Sequence, residues 1–267
     1  IKNRMKVQLS ICIVAYNNYD DVAKAVSSLE EYTPSQIKKQ VYIVDNSMYS
    51  KEQEENLAVL DSVIARYDDV CIINVGANLG FGKGHNYILD ELESEYHAIV
   101  NPDIIFTEDV FSPIIEYMRN NRDVGMCIPN ITDEKGERLQ VYRRELTVFD
   151  MFIRMFCKNL FPKRNAMHTL QDQDYTQPFQ VPFGQGSFLV IRTELFKKLN
   201  GFDDRFFMYL EDADLCKRVN EISKLMYYPG ASVVHRWEKG SHKNKKLLMY
   251  HIQSMRKYFE KWGYKWY

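Results

Sequence analysis

Short apolar runs alternate with amphipathic segments through the first half of the chain. Four runs rich in β-branched residues, Leu9–Ala15, Val41–Val44, Val70–Val75 and Ala98–Val100, have the length of strands. The segments after them have the length and periodicity of helices, expected at about Tyr19–Tyr32, Lys51–Tyr67, Gly84–Glu93 and Glu108–Asn121. Strand and helix in turn predict βαβ units on a parallel sheet, where ligands bind beyond the C-terminal ends of the strands. After Val124–Pro129 the alternation breaks. Asp133–Gly136 reads as a tight hairpin turn, an aromatic helix is expected near Phe149–Phe161, and Lys163–Pro178 reads as a polar, mobile loop. A strand at Ser187–Arg192, an acidic helix from about Tyr209 and a strand at Leu225–Val234 turn the sheet into a mixed one. Without an internal repeat, the simplest reading is one α/β domain with an elaborated second half.

Composition narrows the function classes. The 267 residues are 45% hydrophobic and 27% charged, as in globular proteins, and the net charge of −1 gives no global attraction for nucleic acid. That average hides a basic end: Arg236, Lys239, Lys243, Lys245, Lys246, Arg256, Lys257, Lys261 and Lys265 face only Glu238 and Glu260. There, Leu248, His251, Met255, Tyr258, Phe259 and Trp262 recur at helical spacing, which suits packing on the domain or lying on an anionic membrane surface. The five cysteines are scattered and form no C-x-x-C, so neither a disulfide framework nor a zinc knuckle is indicated. No run approaches the ~20 apolar residues of a membrane span, and the start lacks the layout of a signal peptide. The expected location is the cytoplasm, with peripheral contact at the inner face of the membrane.

Candidate chemistry concentrates at strand ends and in one acidic cluster. Phe206-Phe-Met-Tyr-Leu-Glu-Asp-Ala-Asp214 brings Glu211, Asp212 and Asp214 to a helix start behind aromatic residues, which suits a carboxylate with a raised pKa acting as a general base. The same acids also suit a helix N-terminus, and Asp214 with Arg218 suits an ordinary pair one turn apart. Tyr16, Asn17, Asp45 and Asn46 end the first two strands, where an acid can hold a ribose hydroxyl or base edge and where Asn and Asp also make turns. Gly80, Gly82 and Gly84 precede a helix and could let backbone amides approach an anion; His85 breaks G-x-G-x-x-G, and no P-loop is present. Asp103, after Pro102, could ligate Mg²⁺ or Mn²⁺, and His235 at a late strand end could add an imidazole.

Taken in order, these pieces resemble the inverting family 2 glycosyltransferases with the GT-A fold. The resemblance rests on Ser10-Ile-Cys-Ile-Val-Ala-Tyr-Asn17, Val44-Asp-Asn46, Asn78-Leu-Gly-Phe-Gly82, Asn101-Pro-Asp103, Gly184-Gln-Gly-Ser-Phe188, Gly201-Phe-Asp203, Glu211-Asp212-x-Asp214-Leu215 and His235. Within the family, Asn-Pro-Asp-Ile-Ile105, Gly-Ser-Phe-Leu-Val-Ile-Arg192 and the stretch from Asn200 to Cys216 are most similar to bacterial rhamnosyltransferases of O-antigen and surface polysaccharide synthesis. The resemblance implies a Rossmann-like, mainly parallel mixed sheet over residues 1–242, with a nucleotide-binding half (1–105), a catalytic and acceptor half (106–242) and a basic amphipathic C-terminal extension (243–267). It implies that Ala15, Tyr16, Asn17, Asp45, Asn78, Gly80, Phe81, Gly82, Asn86, Asn101 and Gly186 hold a dTDP- or UDP-linked sugar. It also implies Asp103 and His235 as ligands of Mg²⁺ or Mn²⁺, and Asp212 as the base beside Glu211 or Asp214. Asn101 stands where the family's D-x-D signature has its first Asp. The acceptor is expected to be a saccharide, free or on a polyprenyl diphosphate. The rivals are transfer from UDP-hexose or UDP-galactofuranose, a non-catalytic nucleotide-sugar scaffold, and a nucleotidyltransferase, which would want a basic glycine loop where Tyr16–Tyr19 stand.

Overall fold

The first apolar run becomes β1 (Val7–Ala15), and Leu9, Ile11, Cys12 and Ile13 in it are wholly inaccessible, as expected of a strand covered on both faces. The computed structural model describes residues 7–48, 50–157, 159–236 and 245–267. After β1 come α1 (Tyr19–Tyr32), β2 (Lys39–Asp45), α2 (Lys51–Ile64), β3 (Val70–Asn74), α3 (Phe81–Asn86), β4 (Ser94–Val100), β5 (Ile104–Ile105) and α4 (Phe111–Asn120). β1 pairs in parallel with β2 and β4, and β3 extends the sheet beyond β2. α1 buries Val22, Ala25, Val26 and Leu29, the helical spacing seen in its sequence.

The third expected helix is displaced. In place of one helix over Gly84–Glu93, α3 begins at Phe81, and a separate 3₁₀ turn follows at Leu89–Glu91. Its glycines lie inside the helix because α3 presses on β1: a Cβ on Gly84 would meet the Val14 side chain at 2.8 Å.

The second half runs β6 (Val124–Thr132), β7 (Tyr142–Arg143), α5 (Val148–Phe152) with one π-helical turn (Ile153–Cys157), α6 (Pro162–His168), β8 (Phe179–Gln180), β9 (Phe183–Gly184), β10 (Phe188–Arg192), α7 (Thr193–Lys198), α8 (Glu211–Ile222), β11 (Lys224–His235) and α9 (Lys245–Trp262). β10 enters antiparallel between β4 and β6, which makes the sheet mixed, and β11 returns parallel to β6. Among the described residues the order is β3-β2-β1-β4-β10-β6-β11-β5, with β8 also on β11. A register shift in β11 between Tyr228 and Ser232 precedes its antiparallel pairing with β5, where His235 faces Ile104. β7 and β9 form a small sheet of their own.

The polar stretch Lys163–Pro178 is not the mobile loop expected from its composition. Pro162 opens α6 at a first-turn position, His168, Thr169 and Leu170 are buried, and the Tyr175 ring packs on Tyr142, Phe179 and Tyr227. α9 packs on the domain through its second half: Tyr258 and Phe259 are buried, Ser254 Oγ donates to the Met208 carbonyl at 2.7 Å, and His251 stacks on Tyr209. Leu248, Met249 and Ile252 remain exposed. The expected boundary between residues 242 and 243 lies outside the described residues. Among the described residues no helix is long and apolar enough to cross a membrane.

Candidate active site

The C-terminal ends of β1, β2 and β4 open onto a cavity of about 740 Å³. Of the residues expected to hold a donor or a metal, Tyr16, Asn78, Gly80, Phe81, Asn101, Asp103 and His235 line it. Lys24, Met208 and Arg236 line it as well; Lys24 carried no signal in the sequence, and Met208 and Arg236 lie in stretches singled out for other reasons. Ala15 is buried, and its carbonyl accepts from the Asn46 amide at 2.9 Å. Asn17 is exposed with a left-handed φ of 56°, its amide bonded to Ser47 Oγ.

Asp45 is oriented by its neighbours. Oδ2 accepts from the Tyr19 hydroxyl at 2.8 Å and Oδ1 from the Ser47 amide at 2.9 Å. A carboxylate oxygen has two acceptor sites, so these bonds fix Asp45 without exhausting it. Tyr19 is the partner that sequence reasoning missed. Asn46 turns inward and donates Nδ2 to the Gly80 carbonyl at 2.9 Å.

The glycine loop lines the cavity and spends two of its amides inside the fold. The Gly80 amide is bonded to Asn78 Oδ1 at 3.0 Å and the Phe81 amide to the Phe207 carbonyl at 3.1 Å. Gly80 has φ 83°, and a Cβ there would lie 2.0 Å from the Phe207 oxygen. The loop is therefore a clasp that presses the segment before α8 onto the sheet edge. Gly82 serves the same contact, since its Cβ would reach Phe202 at 3.0 Å. Asn86 is likewise spent inside the fold: its side chain accepts from the Phe202 amide and donates to the Phe202 carbonyl, both at 2.8 Å, and to Asp204. These bonds make Asn86 a strut between α3 and the segment before α8, and it does not line the cavity.

Asp103 and His235 meet across the cavity floor, Oδ2 to Nε2 at 3.1 Å. The β5–β11 pairing brings them together over more than a hundred residues. Asp103 Oδ1 and Asn101 Oδ1 are buried without a hydrogen-bond partner. Orphaned oxygens beside an imidazole fit a divalent cation, which prefers oxygen ligands and completes its shell with phosphate and water. Among the described residues no group of three or more His, Cys, Asp or Glu is assembled, so protein carboxylates and imidazoles alone do not enclose an ion.

The acidic cluster divides along its helix. Tyr209 and Leu210 both hold left-handed φ, 70° and 64°, a strained entry that swings the chain into α8. Asp212 is partly exposed, its Oδ2 accepting from the Gly186 amide at 3.0 Å and its Oδ1 from its neighbour Ala213 at 2.8 Å. Burial raises its pKa, while the two amides and the charges of Arg143 and Arg154 hold it down. Glu211 is 4% exposed with Oε2 unpartnered, and burial together with the Asp212 charge pushes its pKa well above the usual carboxylate range.

Asp214 does not join them. It is fully buried and takes Arg218 at 2.8 Å, Lys261 at 2.6 Å and the Trp262 indole at 2.9 Å. Two positions along a helix turn a side chain by about 200°, so Asp214 faces α9 where Asp212 faces Gly186. Its expected part as an orienting neighbour of the base is replaced by that of an anchor for α9. Arg143 and Arg154, the cations nearest in effect to Asp212, carried no signal in the sequence, lying some 60 to 70 residues before it.

Comparison with known proteins bears on the family and the fold. The model of the family described as Glycosyl transferase family 2 matches residues 10–200. An N-acetylglucosaminyl-diphospho-decaprenol L-rhamnosyltransferase of Mycobacterium tuberculosis is 27% identical over 65% of this chain and 61% of its own length, so the match spans about three fifths of that relative. Rhamnosyltransferase WbbL of Escherichia coli K12 is 26% identical over 93% of this chain and 91% of its own. Among solved structures, GalNAc-T7 with UDP, GalNAc and Mn²⁺ superposes with a TM-score of 0.66 at 16% identity, over 88% of this chain and 44% of that one. The mannosyltransferase PcManGT of Pyrobaculum calidifontis, with GDP-Man and Mn²⁺, gives 0.61 at 13% identity, over 96% and 65%. At such identities the likeness is one of fold, and it is the GT-A fold expected from the sequence.

Proposed function

The chain belongs to glycosyl transferase family 2, and from that premise we propose that it moves a sugar, L-rhamnose from dTDP-rhamnose, with inversion, onto a lipid-linked saccharide in surface glycan synthesis. The observation that carries the reading is Asp212: a partly exposed carboxylate, raised by burial and held by the Gly186 amide, where a Cβ on Gly186 would lie 3.5 Å from the ring of Phe81, a residue lining a cavity of nucleotide size. The rhamnosyl group comes from the names of the mycobacterial and Escherichia coli relatives, and the diphosphate-linked acceptor from the mycobacterial name alone.

In this reading Asp212 takes the proton of an acceptor hydroxyl while that oxygen attacks the anomeric carbon. The bond from that carbon to the donor phosphate breaks on the opposite face, the nucleoside diphosphate leaves with the electron pair, and configuration inverts. Asp45, fixed by Tyr19, holds the nucleoside, and Tyr16, Asn78 and Asn101 line its path. Asp103 and His235, with Asn101 beside them, would hold a divalent cation, Mg²⁺ or Mn²⁺. Such an ion, when bound, supplies positive charge to the departing diphosphate. Residues 1–105 thus supply most of the donor's contacts, His235 joins them from the second half, and 106–242 supply the base and the acceptor's side. Exposed Leu248, Met249 and Ile252, with Lys245 and Lys246 beside them on α9, support peripheral contact with the acceptor's membrane.

The test is nucleoside diphosphate release from dTDP-rhamnose, UDP-galactose, UDP-galactofuranose and UDP-N-acetylglucosamine, with Mn²⁺ or EDTA and a lipid-linked acceptor. Release from dTDP-rhamnose alone, lost in EDTA, is the expected result. Binding of donors with no turnover on any acceptor would point to a scaffold.

A further inference from the structure

Arg143 and Arg154 stand apart from the paired cations of this protein. Arg164 rests on Asp150, Arg218 on Asp214, and Lys39 lies between Glu30 and Asp69. Arg143 is only 5% exposed, yet its guanidinium has no hydrogen bond or ion pair with a described residue, and its buried Nε lacks an acceptor. It lies over the Phe183 ring, 5.0 Å from the centroid. Arg154, on the π turn after α5, is equally without a hydrogen bond or ion pair among the described residues. His168, 3% exposed, has two ring nitrogens with no hydrogen bond, Nδ1 lying 3.6 Å from Asp150 Oδ2; burial and the surrounding arginines outweigh the Asp150 charge and lower its pKa to about 4, so it is a neutral group here.

The backbone sets this cluster against the proposed base. β7 pairs with β9 so that Arg143 faces Phe183, and the chain runs on through Gly184 to Gly186, whose amide holds Asp212. Burial, and for Arg143 the charge of Arg154, disfavour the charged guanidiniums, and the Asp212 carboxylate is what opposes this at both. One carboxylate, itself needed for proton transfer, leaves two guanidiniums with an excess of positive charge and donors to spare. A desolvated guanidinium without acceptors is unfavourable, and an anion entering beside it relieves that cost.

We infer that Arg143 and Arg154 form an anion subsite on the acceptor side of Asp212, which takes the phosphate or diphosphate group carried by the acceptor sugar. Neither arginine lines the cavity assigned to the donor, and both belong with Gly186 and Asp212 rather than with the Asp103–His235 pair. Planar guanidinium forks match phosphate oxygens two at a time. A sugar whose hydroxyl reaches Asp212 keeps its anomeric oxygen one ring away, which brings a phosphate on that oxygen alongside the carboxylate. The inference rests on the transferase reading and adds to it that the acceptor is recognised by charge next to the base.

Calorimetry on the full chain tests it, with the donor site first saturated by Mn²⁺ and either dTDP or UDP, whichever binds. Inorganic pyrophosphate and farnesyl diphosphate are then titrated into wild type, Arg154→Gln, Arg143→Gln and the charge-keeping Arg143→Lys, with circular dichroism as the check on folding. The expected result is one added diphosphate per wild-type chain, weakened about tenfold or more in either Gln variant, with nucleotide affinity unchanged. Tighter binding of farnesyl diphosphate identifies a lipid-borne group, and equal binding a water-soluble one; each supports the subsite. Absence of diphosphate binding to saturated wild type, or folded variants that bind like wild type, overturns it. Failure of the first, nucleotide stage would instead count against the transferase reading.

Discussion

The amide of Gly186 lies 3.0 Å from Oδ2 of Asp212, and a Cβ at position 186 would stand 3.0 Å from that of Asp212. The glycine both donates to the carboxylate and leaves room for it. Gly186→Ala therefore displaces Asp212 by a few tenths of an ångström while disturbing little else. Turnover should fall about 10- to 100-fold with near-normal donor affinity, as steady-state kinetics beside nucleotide titration will show.

Asp212 must be ionised to accept a proton, and burial raises its pKa. Activity should decline toward acid with a midpoint above the ordinary carboxylate value of about 4. Asp212→Asn should lower single-turnover transfer by roughly 10²- to 10⁴-fold with the fold intact. A near-normal rate in that variant would remove Asp212 from the role.

Glu211 gives a stability signature of its own. Its native pKa is raised by burial, so the folded chain binds this proton more tightly than the unfolded chain does. The resulting stabilisation is complete below the unfolded value of about 4.3 and is lost as pH rises through the raised native value. Glu211→Gln, which cannot ionise, should melt above wild type at pH 8 by roughly 1–3 kcal/mol, with the difference gone at pH 4. Parallel melting curves at the two pH values would refute this.

Asp214 holds Arg218, Lys261 and Trp262 together from a site with no solvent access. Asp214→Ala leaves two cations without their shared anion and should cost about 3–5 kcal/mol in denaturant unfolding. Because Asp214 faces away from Asp212, molecules that remain folded should turn over normally. A selective loss of turnover at unchanged stability would reverse the assignment.

Removal of either partner in the Asp103–His235 pair should weaken Mn²⁺-supported binding of a nucleoside diphosphate by about 10- to 100-fold. EDTA should bring wild type to the same level, with no further effect on Asp103→Ala. Equal affinity with and without metal in wild type would rule out an ion at this place.

Much of the architecture could be read from hydrophobic period. β1, β2, α1 and α8 lie close to where their apolar spacing put them, because a strand buried on both faces and a helix buried on one leave distinct patterns. Lys163–Pro178 was misread because its polar side chains hide a few buried anchors, His168, Leu170 and Tyr175, whose partners are distant in sequence. The glycine loop was only partly legible for a related reason. Three glycines show that backbone approaches something closely, but not whether that is a phosphate or, as here, the Phe207 carbonyl.

By itself the sequence determined the α/β alternation, the strand ends carrying Asp45, Asn101 and Asp103, and an acidic helix start behind aromatics. Those follow from local spacing and residue chemistry. The tertiary structure decided which acid is which. Asp212 is met by the Gly186 amide and shares its surroundings with two arginines, while Asp214, two positions on, is sealed under α9. Sequence records the rotation between those side chains; what waits on either side of α8 depends on long-range contacts, the β7–β9 pairing and the docking of the last helix, which set the dielectric and the partners of each carboxylate.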